Sequence, residues 1–191
     1  MNTVILTLDF INDICDPNGK IARAAERIKS HQIIEQANQV LAWGRQQSHL
    51  IAHVKVGFRP DYAECPAQSP VFSAAKKNGA LKLGSWGTEF CRELVIKENE
   101  PVIIKHRVSA FYATDLETLL RSNRIEHIIL LGVSTNNAVE LTAREAHDRD
   151  YQVTIVADAC ETNSDSAHQA SLNFLQRIAN VVTTEQLIIH R

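Results

Sequence analysis

Three short segments place reactive side chains directly after apolar runs. Asp9 follows Thr3–Leu8, Lys105 follows Val102–Ile104, and Ser134 and Thr135 follow His127–Val133. A carboxyl group can move a proton, and an ammonium group can hold a carboxylate or a water molecule. A helix opening at Ser134–Thr135 would offer unpaired N–H groups to an anion or a developing oxyanion. Each signal is weak by itself, because an aspartate at a strand end is commonly a turn residue. A lysine there is commonly a solvated charge. What would give them meaning is convergence on one crevice.

The elements between these residues predict that convergence. The β-branched and apolar runs at 3–8, 50–56, 102–104, 127–133, 153–156 and 181–182 read as buried strands. Ile33, Ile34, Ala37, Val40 and Leu41 recur at helical spacing after a Ser30 cap. Further helices are expected over 114–121, 135–149 and 163–176, and just after 183. Thr114–Glu117 and Thr183–Gln186 read as capping boxes that open two of them. Strands alternating with helices give βαβ units and a mostly parallel, Rossmann-like sheet of six strands. Ligands bind such sheets beyond the carboxyl ends of the strands. No repeat or linker interrupts residues 1–191, which predicts a single domain.

Composition narrows the function classes. The 191 residues are 45% hydrophobic and 22% charged, with a formal charge of −2. Without a basic run or stripe, neither nucleic acid nor an anionic membrane is expected as partner. No apolar stretch approaches the ~20 residues of a membrane span, and the N-terminal run lacks a signal-peptide pattern. Cys15, Cys65, Cys91 and Cys160 form no CxxC pair and read as free thiols of a reducing cytoplasm. Neither a metal nor a cofactor is expected, and the partner class is a small-molecule substrate.

One stretch breaks the strand–helix rhythm. Residues 57–87 hold three of the five prolines, four of the seven glycines, and Phe58, Tyr62, Phe72 and Trp86. So long a loop is a lid or pocket wall, or a surface excursion that packs on another subunit. Leu83-Gly-Ser-Trp-Gly87 nearly matches the GxSxG nucleophile elbow, but its first glycine is replaced and no strand precedes it. His53 lies within a strand and reads as a core or interface histidine. His106 adjoins Lys105 and is expected to point away from the crevice, because side chains alternate along a strand.

Taken with their order and spacing, three segments resemble the signatures of the isochorismatase-like hydrolases, a family that includes nicotinamidases. They are Asp9-Phe-Ile-Asn-Asp-Ile-Cys15, Lys105-His-Arg-Val-Ser-Ala-Phe111, and Gly132-Val-Ser-Thr135 with Ala138, Val139 and Ala143. The resemblance runs from about Thr3 to Cys160. It implies a three-layer αβα sandwich, a homo-oligomer, and a catalytic set of aspartate, lysine and cysteine at Asp9, Lys105 and position 138. That third position holds Ala138. The thiolate attack and thioester of the cysteine-dependent members are therefore not expected.

The resemblance further implies a cis peptide between Val133 and Ser134, and an oxyanion site at the N–H groups of Ser134 and Ala138. Ile11 stands where the family often has glutamine, and Val56-Gly-Phe-Arg-Pro60 lacks the Asp-x-His of the nicotinamidase metal site. Phe58, Arg59, Phe111 and Tyr112 are the expected pocket side chains, with Arg59 the nearest candidate to hold a substrate carboxylate. Cys15 and Cys160 are expected to be structural, and Ser134 and Thr135 to cap a helix.

Isochorismatase itself hydrolyses a vinyl ether and also lacks the cysteine. An acid protonates the methylene carbon, water adds, and the hemiketal collapses. Asp9 would be that acid here, and Lys105 would hold substrate carboxylate or water. Because Lys105 should depress the Asp9 pKa, the acid is expected to become competent only in the substrate complex. A silent binding protein of the same fold and an amidase using activated water are the alternatives.

Overall fold

The computed structural model describes residues 1–189. In chain order, β1 (Thr3–Leu8) leads through two short helices, α1 (Asn12–Cys15) and α2 (Ala25–Ser30), to α3 (Ile33–Gln46) and β2 (Leu50–Val56). Then come α4 (Pro70–Lys77), a 3₁₀ turn at Trp86–Thr88, β3 (Val102–Lys105), α5 (Leu116–Ser122) and β4 (His127–Val133). A π-helical turn (Thr135–Val139) opens α6 (Glu140–Asp148). The chain closes with β5 (Gln152–Glu161), α7 (Asp165–Leu175), β6 (Asn180–Val182) and α8 (Thr184–Ile189).

The six strands form one sheet in the order β3-β2-β1-β4-β5-β6, and every pairing is parallel. The strand order reverses between β1 and β4, which fixes the position of the ligand crevice. β1 lies at the centre of the sheet with all six residues buried, since helices cover both faces. α3 packs on β1, β2 and β5 and meets α8, while α6 packs on β5 and meets α7. The β1–α3–β2 and β4–α6–β5 crossovers run in opposite directions from the switch point, so their common right-handedness places α3 and α6 on opposite faces. No helix among the described residues is long and apolar enough to cross a membrane.

Several local expectations change. Ser30 ends α2 rather than capping α3, whose N-cap is Gln32 in the left-handed region at φ 55°. Thr114 and Glu117 form no capping box. Asp115 is the N-cap, and Glu117 is drawn away to Arg121 and Arg149. The second box does form, with the Thr183 N–H donating to Gln186 Oε1 (2.9 Å) and the Gln186 N–H to Thr183 Oγ1 (3.2 Å). β5 is longer than the sequence pattern suggests. It bulges where Leu130 pairs with Ile155 but Gly132 with Cys160, and so Ala157–Cys160 stays within the sheet.

Candidate active site

The floor of the site is built at the carboxyl ends of β1, β3 and β4. Asp9 leaves β1 in the left-handed region at φ 57°, a conformation that aspartate tolerates better than most residues. That turn lets its Oδ1 accept from the Val56 N–H at 2.7 Å, at the end of β2. Its Oδ2 lies 2.8 Å from Lys105 Nζ, and both side chains are almost fully buried.

The remaining two protons of the Lys105 ammonium reach the carbonyls of Arg107 (3.2 Å) and Val108 (3.0 Å). All three donors are therefore engaged within the protein. The turn carrying those carbonyls is itself clamped to α6. Ser109 Oγ donates to Glu145, and the Ala110 N–H donates to Thr142 Oγ1 at 3.1 Å. The second sequence signature thus works largely as a bracket for one ammonium group.

Burial raises the Asp9 pKa above the usual carboxylate range. The charge of Lys105, its hydrogen bond and the Val56 N–H pull the other way without cancelling it. The expectation that Lys105 would prevail in the free protein is thereby corrected, because desolvation is the larger effect at so buried a position.

The third strand end supplies backbone. The Val133–Ser134 peptide is cis. Gly132, at φ 144°, runs so close to β1 that a Cβ there would lie 2.2 Å from the Leu8 carbonyl oxygen. Only glycine allows this approach, and Ser134 then lines the same cavity as Asp9. Ser134 and Thr135 do not cap the helix with their side chains. The Ser134 carbonyl accepts from the Asn137 and Val139 N–H groups, and Thr135 Oγ1 pairs with His168 Nδ1 at 2.8 Å. Ala138 sits in the π-helical turn, a device common at functional sites.

Above this floor opens a cavity of about 470 Å³ lined by Asp9, Lys105, Val133, Ser134 and Ala138 together with apolar and amide side chains. Residues 57–87 supply one wall through α4 and Leu81, including Val71, Phe72 and Ala75. The stretch is thus a folded pocket wall and not a bare loop. Buried Asp13 ties this wall to α1. Its Oδ2 accepts from the Leu81 N–H (2.7 Å), and its Oδ1 from the Lys20 N–H (3.2 Å). Asp13→Asn leaves only one carbonyl-type acceptor for two donors, one of them the buried Leu81 N–H. It should cost about 1–3 kcal/mol in urea denaturation; a change below about 0.5 kcal/mol would mean that the tie is dispensable.

None of the four expected pocket side chains lines the cavity. Phe58 is fully buried beneath the wall, against Phe72 and His106. Arg59 is exposed and bound to Glu64. Phe111 is buried between Tyr151 and Arg149, and Tyr112 is exposed beneath Arg107. Phe58, Phe111 and Tyr112 are suggested by aromatic type near a motif and Arg59 by its charge, whereas burial and local charge pairing decide where they point. Arg23, Asn136, Asn137 and Thr162 line the cavity instead. Asn136 and Asn137 lie inside the third signature and were legible from it. Arg23 lies in irregular chain with no periodic signal.

The remaining candidates fall away from the floor. Cys15 is buried outside the cavity, and burial followed by the neighbouring Cys91 holds its thiol well above the usual range. Burial pushes Cys160 up to about 12. Ser85 Oγ is spent on the Lys82 carbonyl at 2.6 Å. His53 is wholly buried between Thr7 and Glu100, and His106 turns to the Gly57 carbonyl.

A parallel three-layer α/β sandwich with a buried carboxyl–ammonium pair at its topological switch point is the architecture of an α/β enzyme fold. The comparisons sharpen that class. The isochorismatase domain profile matches residues 3–186. The chain is 33% identical over 161 residues to the uncharacterized isochorismatase family protein YwoC of Bacillus subtilis, covering 84% of each. It is 35% identical over 161 residues to YecD of Escherichia coli O157:H7, covering 82% of each. An isochorismatase-like hydrolase from Alkaliphilus metalliredigens superposes with a TM-score of 0.80 at 26% identity over 98% of both chains. An isochorismatase family protein from Desulfovibrio vulgaris gives 0.87 at 23% identity over 97% of this chain and 96% of that one. The chain belongs to the isochorismatase-like hydrolase family.

Proposed function

We propose that this protein hydrolyses a small enol ether by acid catalysis, with Asp9 delivering the proton and no covalent enzyme intermediate. One observation carries the reading: the cavity floor holds a carboxyl group raised by burial, while no cysteine lines the cavity among the described residues. An amide requires a nucleophile strong enough to attack its carbonyl, and Ala138 offers none. An enol ether requires only a proton on its methylene carbon. The resulting oxocarbenium takes up water, the hemiketal carbon–oxygen bond breaks, and a ketone and an alcohol leave. The proton lost by the added water restores Asp9. Lys105 keeps the carboxyl oriented and does not hold substrate, since its three donors are already engaged. The reading takes residues 1–191 as one catalytic domain.

The test is release of pyruvate from isochorismate and from simpler enolpyruvyl ethers, with Asp9→Asn as control. Absence of release from all of them would remove the proposal. The pH dependence separates acid from base. A free-enzyme acid must be protonated, so kcat/KM should be level at low pH and fall as pH rises through the Asp9 pKa, above the usual carboxylate range. The 2.8 Å contact with Lys105 supports a second reading, in which ionised Asp9 activates water toward an amide. That reading requires kcat/KM to rise through the same pKa.

A further inference from the structure

Arg23 is the side chain in the cavity whose charge nothing in the fold explains. Three charged residues line the cavity: Asp9, Lys105 and Arg23. The first two satisfy one another at 2.8 Å. Other arginines of this region are taken. Arg27 binds Glu161 and Asp165, and Arg59 binds Glu64. Arg23 has no acidic partner among the described residues, is solvent-exposed, and faces the same space as Asp9. The cavity therefore carries one cation in excess of its internal pair.

We propose that Arg23 anchors the carboxylate of a substrate whose apolar body lies against Ile14, Val71, Phe72 and Leu81. The saturation of Lys105 leaves Arg23 as the lining cation open to an anionic ligand. A substrate carboxylate on Lys105 would have to break the bond to Asp9 or to one of two backbone carbonyls. A guanidinium with a free edge instead presents two parallel N–H donors at the spacing of the two carboxylate oxygens. The apolar wall rewards a ligand with an apolar body, which those side chains remove from water.

This inference rests on the cavity being the substrate site, as the hydrolase reading has it, but its test needs no turnover. The probes are benzoate and its neutral near-isostere benzamide, with dissociation constants from saturation-transfer NMR titrations. Benzoate should bind the wild type about tenfold more tightly than benzamide, the size of one partly solvated charge-assisted pair. Arg23→Gln should erase that preference while leaving the benzamide constant unchanged, and Arg23→Lys should restore part of it. Arg23 is exposed, so neither variant disturbs the core. Benzoate binding no tighter than benzamide in the wild type would overturn the proposal. So would a preference that survives Arg23→Gln. A protein that shows the Arg23-dependent preference yet releases no pyruvate from any enol ether would support the anchor while removing the hydrolysis reading.

Discussion

Replacing Asp9 by asparagine is expected to lower kcat/KM for an enol ether by about 10³-fold, the scale of a lost proton donor. An amide keeps the shape of the side chain and can still accept from the Val56 N–H, but it has no acidic proton to give. The substitution also strips a buried ammonium of its counter-charge, so a fall in activity could come from a damaged fold. The double variant Asp9→Asn/Lys105→Met separates the two effects. It removes both charges, refills the space with an apolar stem, and should fold well by circular dichroism while remaining as inactive as the single variant. More than about a tenth of wild-type activity in either would exclude Asp9 as the proton carrier.

The second large effect concerns stability. Lys105→Met is expected to cost about 3–5 kcal/mol at neutral pH, because it leaves a buried carboxylate without its cation. Two backbone carbonyls, those of Arg107 and Val108, lose their donor as well. The loss should depend on pH with a defined sign. Lys105 is what opposes the burial-driven rise of the Asp9 pKa, so its removal lets that pKa climb further. A group whose folded pKa exceeds its unfolded value binds more protons in the folded state, so stability falls as pH rises between the two. The variant should accordingly be closest to the wild type in acid and fall away through the elevated Asp9 pKa. Urea denaturation across that range measures this. A deficit that does not change with pH would mean that the lost carbonyl contacts matter and the carboxylate does not. Adding Asp9→Asn should recover most of the neutral-pH deficit.

The architecture was largely legible because it depends on strong, local patterns. Each of the six strands appears in the sequence as a β-branched or apolar run, and the strand ends carry Asp9, Lys105 and Ser134. Parallel topology then brings those ends to one edge, so their meeting required no knowledge of side-chain packing. What was not legible depends on competition between partners. Glu117 was read as a cap, yet it pairs with Arg121 one turn along the same helix and with Arg149 at the end of a distant one. Arg59 was read as an anion holder, yet Glu64 lies five residues away and claims it. The engagement of all three Lys105 donors was equally invisible, since two of its partners are backbone carbonyls. Asp13, inside the first signature, carries no signal of its own in the sequence. Its role emerges only when the chain returns at Leu81.

The cavity wall has its own small hydrophobic centre. Val56, Phe58, Tyr62, Phe72, Ala75 and Leu81 pack together as a cluster separate from the main core beneath the sheet. The side chains that shape a ligand are therefore packed apart from the main core, and they meet the proton-handling pair chiefly through the backbone of Val56 and Val108. Substitutions at wall side chains that touch neither Asp9 nor Lys105 should add nearly independently to changes at that pair. The wall can exchange side chains, and with them the molecules it admits, at little cost to the alignment of Asp9 and Lys105. In the terms of an evolving lineage, this division lets substrate choice drift while the chemistry underneath stays fixed.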